Sequence, residues 1–210
     1  ILVGGTGLYI RTLLDGIAPV PVIDAQVREA VRALPVAQAH AALALEDPER
    51  AALLHPNDTT RIARALEVVR STGHSLAHWQ EQKVGGIGGQ VTLHPLVLLP
   101  DRAWLYERCD RRFALMMERG AVQEVEALMA RGLGPDMPVM RAIGVAEIAG
   151  YLSGAWNREE AILRGAQATR NYAKRQYTWL RHQPPEDWRR RTQNFDENID
   201  AKLDFEILLQ

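Results

Sequence analysis

The stretch Ile1-Leu-Val-Gly-Gly-Thr-Gly-Leu-Tyr-Ile10 sets the apolar run Ile1-Leu2-Val3 directly before Gly4-Gly5-Thr6-Gly7, and then resumes an apolar-periodic pattern at Leu8, Tyr9 and Ile10. It predicts a short buried strand, a glycine turn and a helix, which leaves free backbone N–H groups at the end of a sheet. Such a turn can cradle a phosphate or let a substrate approach the backbone closely. The same local pattern also suits a tight strand-to-helix turn with no ligand, since short glycine motifs recur by chance.

Outward from that turn, Leu8 to Leu14 reads as a short helix and Ile17-Ala-Pro-Val-Pro-Val22 as an extended exit. Asp24 suits the N-cap of a helix with Val27, Ala30, Val31 and Leu34 on its apolar face, and Arg28 and Arg32 lie one turn apart, mostly off that face. A second helix covers about 36–45, and Asp47-Pro48 starts a third. His55-Pro-Asn-Asp58 caps a helix from Thr59 to Ser71, closed by Gly73. Val84-Gly-Gly-Ile-Gly-Gly-Gln90 reads as a flexible linker or hinge.

Val91 to Leu99 predicts a second, largely buried strand, with Pro95 pointing to an edge or a bulge. Helices follow from Asp101, between Gly120 and Gly132, and up to Leu152. The longest helix opens at Asn157, with Glu160 three residues on, and runs to about His182. From Pro184 the chain reads as looser, and 184–210 as a peripheral tail.

Composition narrows the function classes. The chain has 210 residues, 47% hydrophobic and 24% charged, with a net charge of −1, so no global basic field advertises nucleic acid. Any RNA contact has to come from local patches. One cysteine, Cys109, excludes an internal disulfide framework and any multi-cysteine zinc site, which fits a reducing cytoplasm. No apolar run approaches the ~18 residues of a membrane span. The histidine pair His74 and His78 comes without a carboxylate at ligand spacing, and no GxSxG elbow or GxxxxGK[ST] phosphate loop is present in these residues. The chain opens inside an expected strand, without Met, and is read as lacking its natural N-terminal part.

Two sets of cations stand out. On the longest helix, Arg170, Lys174 and Arg181 share one face, with Tyr177 and Trp179 nearby. A basic stripe beside aromatics can track a phosphate backbone and stack an unpaired base; it is equally the pattern of a solvated face whose aromatics enter the core. The second set is Arg28, Arg61, Arg64, Arg108, Arg111, Arg112 and Arg141, whose planar forks suit a diphosphate or an RNA backbone.

Five strings then occur in an order that resembles the bacterial tRNA dimethylallyltransferases (tRNA isopentenyltransferases). They are Leu2-Val-Gly-Gly-Thr-Gly-Leu-Tyr9, His55-Pro-Asn-Asp-Thr-Thr-Arg-Ile-Ala-Arg-Ala-Leu-Glu-Val68, Arg108-Cys-Asp-Arg-Arg-Phe113, Arg141-Ala-Ile-Gly144 and Thr169-Arg-Asn-Tyr-Ala-Lys-Arg-Gln-Tyr-Thr-Trp179. The resemblance implies an α/β fold with a P-loop NTPase-like parallel-sheet core, incomplete at the N-terminus, a mostly helical insertion and a helical C-terminal half. It divides the chain into core (1–16 and 91–183), tRNA-binding insertion (17–90) and tail (184–210).

It also implies transfer of a dimethylallyl group from dimethylallyl diphosphate to N6 of the adenosine 3′-adjacent to the anticodon, with Mg²⁺, in the cytoplasm; a monomer is the default expectation. The target base must be extruded to be reached, and the departing diphosphate needs cations where its charge develops. Thr6 matches the channel threonine, Gly4, Gly5 and Gly7 line the substrate channel, and Arg64 and Arg112 suit the diphosphate end. Arg28, Thr60, Arg61, Ile62, Ala63 and Arg64, together with Arg141, Ala142, Ile143, Gly144 and Val145, match stretches on the tRNA side. Arg170, Lys174, Arg175 and Trp179 fall in a C-terminal signature that can serve RNA or the core.

Family members also carry a GPTxSGK[ST] loop followed by a general-base aspartate. Neither is within these 210 residues, so the chain alone is expected not to complete the transfer. The absence of a Cys/His zinc finger favours the bacterial type. A non-catalytic RNA-binding remnant and an adenylate isopentenyltransferase acting on a free nucleotide stand as alternatives.

Overall fold

A computed structural model describes residues 1–194 and divides the chain into two compact units, Leu8–Leu93 and Ile1–Gly7 with His94 onward. The seams fall at 7/8 and 93/94 rather than at the expected 16/17 and 90/91. Residues 195–210, most of the expected tail, lie outside the described residues.

The 8–93 unit is built from helices whose starts are written into the sequence. These are α1 (Gly7–Asp15, its first residue counted with the other unit), α2 (Ala25–Ala33), α3 (Val36–Glu46), α4 (Pro48–Ala52), α5 (Thr59–Thr72) and α6 (Leu76–Glu81). Asp24 accepts from the N–H of Gln26 and Val27, Asp47 from Arg50 and Asp58 from Arg61, each satisfying donors that the first turn leaves open. Val31, Ala39, Leu43, Ala51, Ile62, Ala65 and Leu66 close the core between α2, α3, α4 and α5. The Arg70 guanidinium of α5 lies 2.7 Å from Glu46 of α3, and that bond holds its proton more tightly than usual.

The glycine-rich segment 84–90, expected as a flexible linker, is instead a backbone crossing. Ile17 and Val84 exchange N–H···O bonds of 2.9 and 3.0 Å, and Ile87 N–H donates to Leu13 O at 2.9 Å. A Cβ on Gly86 would stand 2.6 Å from Leu14 O, so only glycine lets the two chains pass this closely.

The second unit holds β1 (Leu96–Leu98), α7 (Arg102–Glu118), α8 (Ala121–Met129), α9 (Val145–Leu152), α10 (Arg158–His182) and β2 (Arg189–Arg191). The core is Phe113, Met117, Ala121, Val125, Val145, Ile148, Ala161 and Ala166, and Phe113 of α7 lies where a side chain on Gly165 of α10 would stand. Asn157 caps α10 by accepting from Glu160 N–H at 2.8 Å, as its sequence position suggests. Among the described residues, which are mostly helical, β1 pairs with β2 in parallel, in register Leu96↔Arg189, Val97↔Arg190 and Leu98↔Arg191, which is the expected α/β class with parallel pairing.

Three strand expectations change. Residues 1–3 are exposed and unpaired among the described residues, because no strand runs beside them. The expected strand 91–99 shortens to Leu96–Leu98, beginning just after Pro95, which has no N–H to give a ladder. The segment read as loose contains β2. Three successive arginines show no apolar alternation, so nothing local announces it. Arg190 fastens the approach to β2 by donating to the carbonyls of Glu186 (2.8 Å), Pro184 (3.3 Å) and Pro185 (3.2 Å).

Candidate functional site

The glycine loop lies on α10. Thr6 Oγ1 and Tyr172 Oη are 2.9 Å apart, a Cβ on Gly5 would stand 2.8 Å from the Gln176 amide, and one on Gly7 would stand 2.1 Å from the Trp179 ring. Tyr172, Gln176 and Trp179 follow at i, i+4 and i+7, so one face of the helix receives the loop. Gly5 and Gly7 let the backbone lie against that face, and Thr6 adds a side-chain bond to it. Gly4 has open space around it. Two of the five sequence strings, distant in the chain, thus form one structure.

Tyr172 also belongs to a cleft of about 180 Å³, walled by Cys109, Arg112, Phe113, Met116, Ile143, Thr169 and Tyr172. Arg112, expected at the diphosphate end, is exposed there, and no carboxylate is within ion-pair distance of it among the described residues. It also borders a wider, shallower hollow with Arg119, Gly120 and Glu124. A guanidinium with unclaimed donors beside an apolar wall suits an anionic group joined to an apolar tail. Burial pushes the Cys109 thiol up, and Asp110 adds to this against the opposing Arg112 and Arg170 charges, so the thiol is a wall and not a nucleophile.

The Arg141–Val145 stretch splits by position. Arg141 pairs with Asp136 at 2.7 Å on the surface, Ala142 and Ile143 are exposed, and Gly144 and Val145 are buried. Gly144 N–H donates to Glu147 Oε2 at 2.9 Å. Of these, Ile143 reaches the cleft.

The C-terminal signature serves packing and surface in turn. Arg170 Nη1 donates to both Asp110 oxygens at 2.5 and 2.6 Å, and Nη2 to Gln167 Oε1 at 2.8 Å, which ties α10 to α7. Trp179 packs on Gly7, Arg175 stands 5.6 Å over the Tyr172 ring, and Lys174 is exposed. Tyr172, Thr169, Gln176 and Asp110 were not singled out from the sequence. Tyr172 and Gln176 sit inside the signature string, while Asp110 gives no local sign of its partner.

On the 8–93 unit, Thr60 is exposed and Ala63 half-buried, whereas Ile62 is 0% exposed and has no side-chain surface to offer RNA. Arg61 turns back to its helix cap, 2.5 Å from Asp58; this hydrogen bond, ahead of that from the Arg61 backbone, holds the Asp58 carboxyl below the usual range. Arg28 and Arg64 both approach Glu67, at 3.8 and 4.0 Å.

No group of three or more His, Cys, Asp or Glu side chains that could hold a metal occurs among the described residues, and the cleft walls carry no carboxylate. No helix among the described residues is long and apolar enough to cross a membrane.

Comparison with known proteins places these features in a family. The profile described as "IPP transferase" matches residues 1–183. A tRNA dimethylallyltransferase of Erythrobacter litoralis is 63% identical over 204 residues, covering 97% of this chain and 64% of that protein. One from Novosphingobium aromaticivorans is 65% identical over 201 residues, covering 96% and 71%. The crystal structure of the full-length tRNA isopentenylpyrophosphate transferase from Bacillus halodurans superposes with a TM-score of 0.55 at 30% identity, covering 97% of this chain and 62% of that one. A eukaryotic dimethylallyltransferase acting on tRNA gives a TM-score of 0.64 at 28% identity, covering 84% and 46%. The chain therefore spans a little under two thirds of the Erythrobacter and Bacillus proteins.

Proposed function

Because the chain belongs to the IPP transferase family, we propose that it is the part of a tRNA dimethylallyltransferase that presents the target adenosine to dimethylallyl diphosphate. The observation that carries this reading is the junction of the glycine loop with α10 through Thr6 and Tyr172, beside a cleft walled by Arg112. In the reaction, the adenosine N6 lone pair forms a bond to C1 of the prenyl group while the C1–O bond breaks. Diphosphate leaves with the electron pair, and the amine's proton passes to a base that these residues do not supply, the role of the aspartate that the resemblance implies.

Thr6 Oγ1, oriented by Tyr172, can accept a hydrogen bond from the exocyclic amine and so aim its lone pair. The apolar walls Phe113, Met116 and Ile143 suit the prenyl chain, and the Arg112 guanidinium suits the charge that develops on the leaving group. The resemblance implies Mg²⁺, which would add charge neutralisation on the diphosphate to that of arginine. The 8–93 unit serves as the RNA-gripping part, which favours tRNA over a free nucleotide, since a nucleotide needs no such surface. The reading places the protein in the cytoplasm, as a monomer.

The test is binding of an anticodon stem-loop RNA across a salt series, with adenosine or guanosine at the target position. A steep salt dependence with preference for adenosine supports the reading. Absence of binding overturns it, and equal binding of both loops removes Thr6 and the cleft from base recognition.

A further inference from the structure

Glu67 of α5 is only 1% exposed, yet it carries a carboxylate. Arg32 Nε donates to its Oε1 at 2.8 Å, while Oε2 lies 3.8 Å from Arg28 Nε and 4.0 Å from Arg64 Nη1. The three guanidinium groups come from two helices, Arg28 and Arg32 from α2 and Arg64 from α5. Their side chains remain 47%, 64% and 42% exposed.

A carboxylate taken out of water requires a cation, and one well-placed arginine is sufficient for that. Here three gather around a single carboxylate, and only Arg32 is within hydrogen-bond range of it. Each guanidinium has five N–H donors, so most donors of the group are unclaimed by Glu67. The cluster carries two positive charges in excess, facing solvent from a base fixed by burial. Because a shared carboxylate restrains the three long side chains, less rotamer freedom is lost when they close on a ligand.

We propose that Glu67 is a positioning residue that gathers Arg28, Arg32 and Arg64 into one grip for neighbouring phosphates of an RNA backbone. This rests on the tRNA reading above and adds Glu67 and Arg32 to the residues it uses. Arginine forks match phosphate oxygens bidentately, and three of them on two helices span more than one phosphate.

The sign of one substitution separates positioning from simple charge. Glu67→Gln raises the local charge from two to three positive. If charge alone attracted RNA, binding would tighten; if Glu67 sets the geometry, binding weakens despite the added charge.

The experiment measures binding of the anticodon stem-loop RNA to the 210-residue chain and to Arg28→Gln, Arg32→Gln, Arg64→Gln and Glu67→Gln across a salt series. Each arginine variant is expected to lower the slope of log K against log salt by about 0.7–0.9. Glu67→Gln is expected to weaken binding about tenfold at fixed salt. Thermal melts establish that each variant is folded. Should Glu67→Gln fail to fold, Glu67→Asp replaces it, keeping the charge but shortening the reach, and must also weaken binding. Unchanged slopes for the arginine variants, or equal or tighter binding by the Glu67 variant, overturn the grip while wild-type binding leaves the tRNA reading standing. No binding by the wild type overturns both.

Discussion

The hydroxyl of Thr6 and the phenol of Tyr172, 166 residues apart in sequence, lie 2.9 Å from each other and join the glycine loop to the middle of α10. Neither side chain is fully buried, so the bond adds little to stability. Its consequence is geometric: it holds the Thr6 hydroxyl, which we propose addresses the target base, in one orientation.

Tyr172→Phe keeps the ring in the cleft wall and removes the bond. The expected loss of stability is small, about 0.5–1 kcal/mol, measured by urea titration. Preference for adenosine over guanosine in stem-loop binding should fall several-fold, with the salt slope unchanged. Retention of full preference would show that Thr6 needs no partner to act.

Arg170 makes the opposite case. With both Asp110 oxygens and Gln167 as acceptors, it is committed to tying α10 to α7. Asp110→Asn should cost roughly 1 kcal/mol, since the aspartate side chain is 44% exposed and solvent screens part of the pair. The salt slope of RNA binding should stay the same. A steeper slope would mean that the freed guanidinium reaches phosphate, and that Asp110 had been withholding it.

Much of the fold was legible because its signals are local. Asp24, Asp58 and Asn157 announce helix starts, since an N-cap bonds to N–H groups two or three residues on. Helix α10 was readable from Asn157 to His182 for the same reason. What escaped depends on distant partners. Asp110 finds Arg170 sixty residues away, and Glu67 looks like any helical glutamate until α2 lays Arg28 and Arg32 against it. Strand β2 carries no apolar alternation, because arginines fill it. Of the candidate site, Thr6 and Arg112 were legible by resemblance, whereas Tyr172 required the packed loop.

Cys109 provides a pH test. Burial, then the Asp110 charge, favours the protonated thiol in the folded protein. A folded-state value above the unfolded one contributes stability that is complete below the ordinary thiol range and is lost as pH rises through and beyond it. Unfolding free energy should therefore fall more steeply on the alkaline side for the wild type than for Cys109→Ala. Alkylation of the native thiol near pH 8 should be slower than that of the unfolded chain. Fast alkylation of the folded protein would contradict the burial argument.

Gly7 and Trp179 define how tightly the loop is seated. A Cβ on Gly7 would stand 2.1 Å from the Trp179 ring, far inside contact distance, so the ring or the loop has to shift. Gly7→Ala should therefore destabilise by about 1–3 kcal/mol through overpacking. It should also pull Thr6 away from Tyr172 and lower adenosine preference, an effect that a merely loosened core elsewhere would not produce. Trimming the ring in a Gly7→Ala/Trp179→Leu double variant makes room for the methyl. The two changes should then be less than additive by about 0.5–3 kcal/mol, as read from a double-mutant cycle in urea. Strict additivity would place the clash elsewhere and separate the glycine loop from α10.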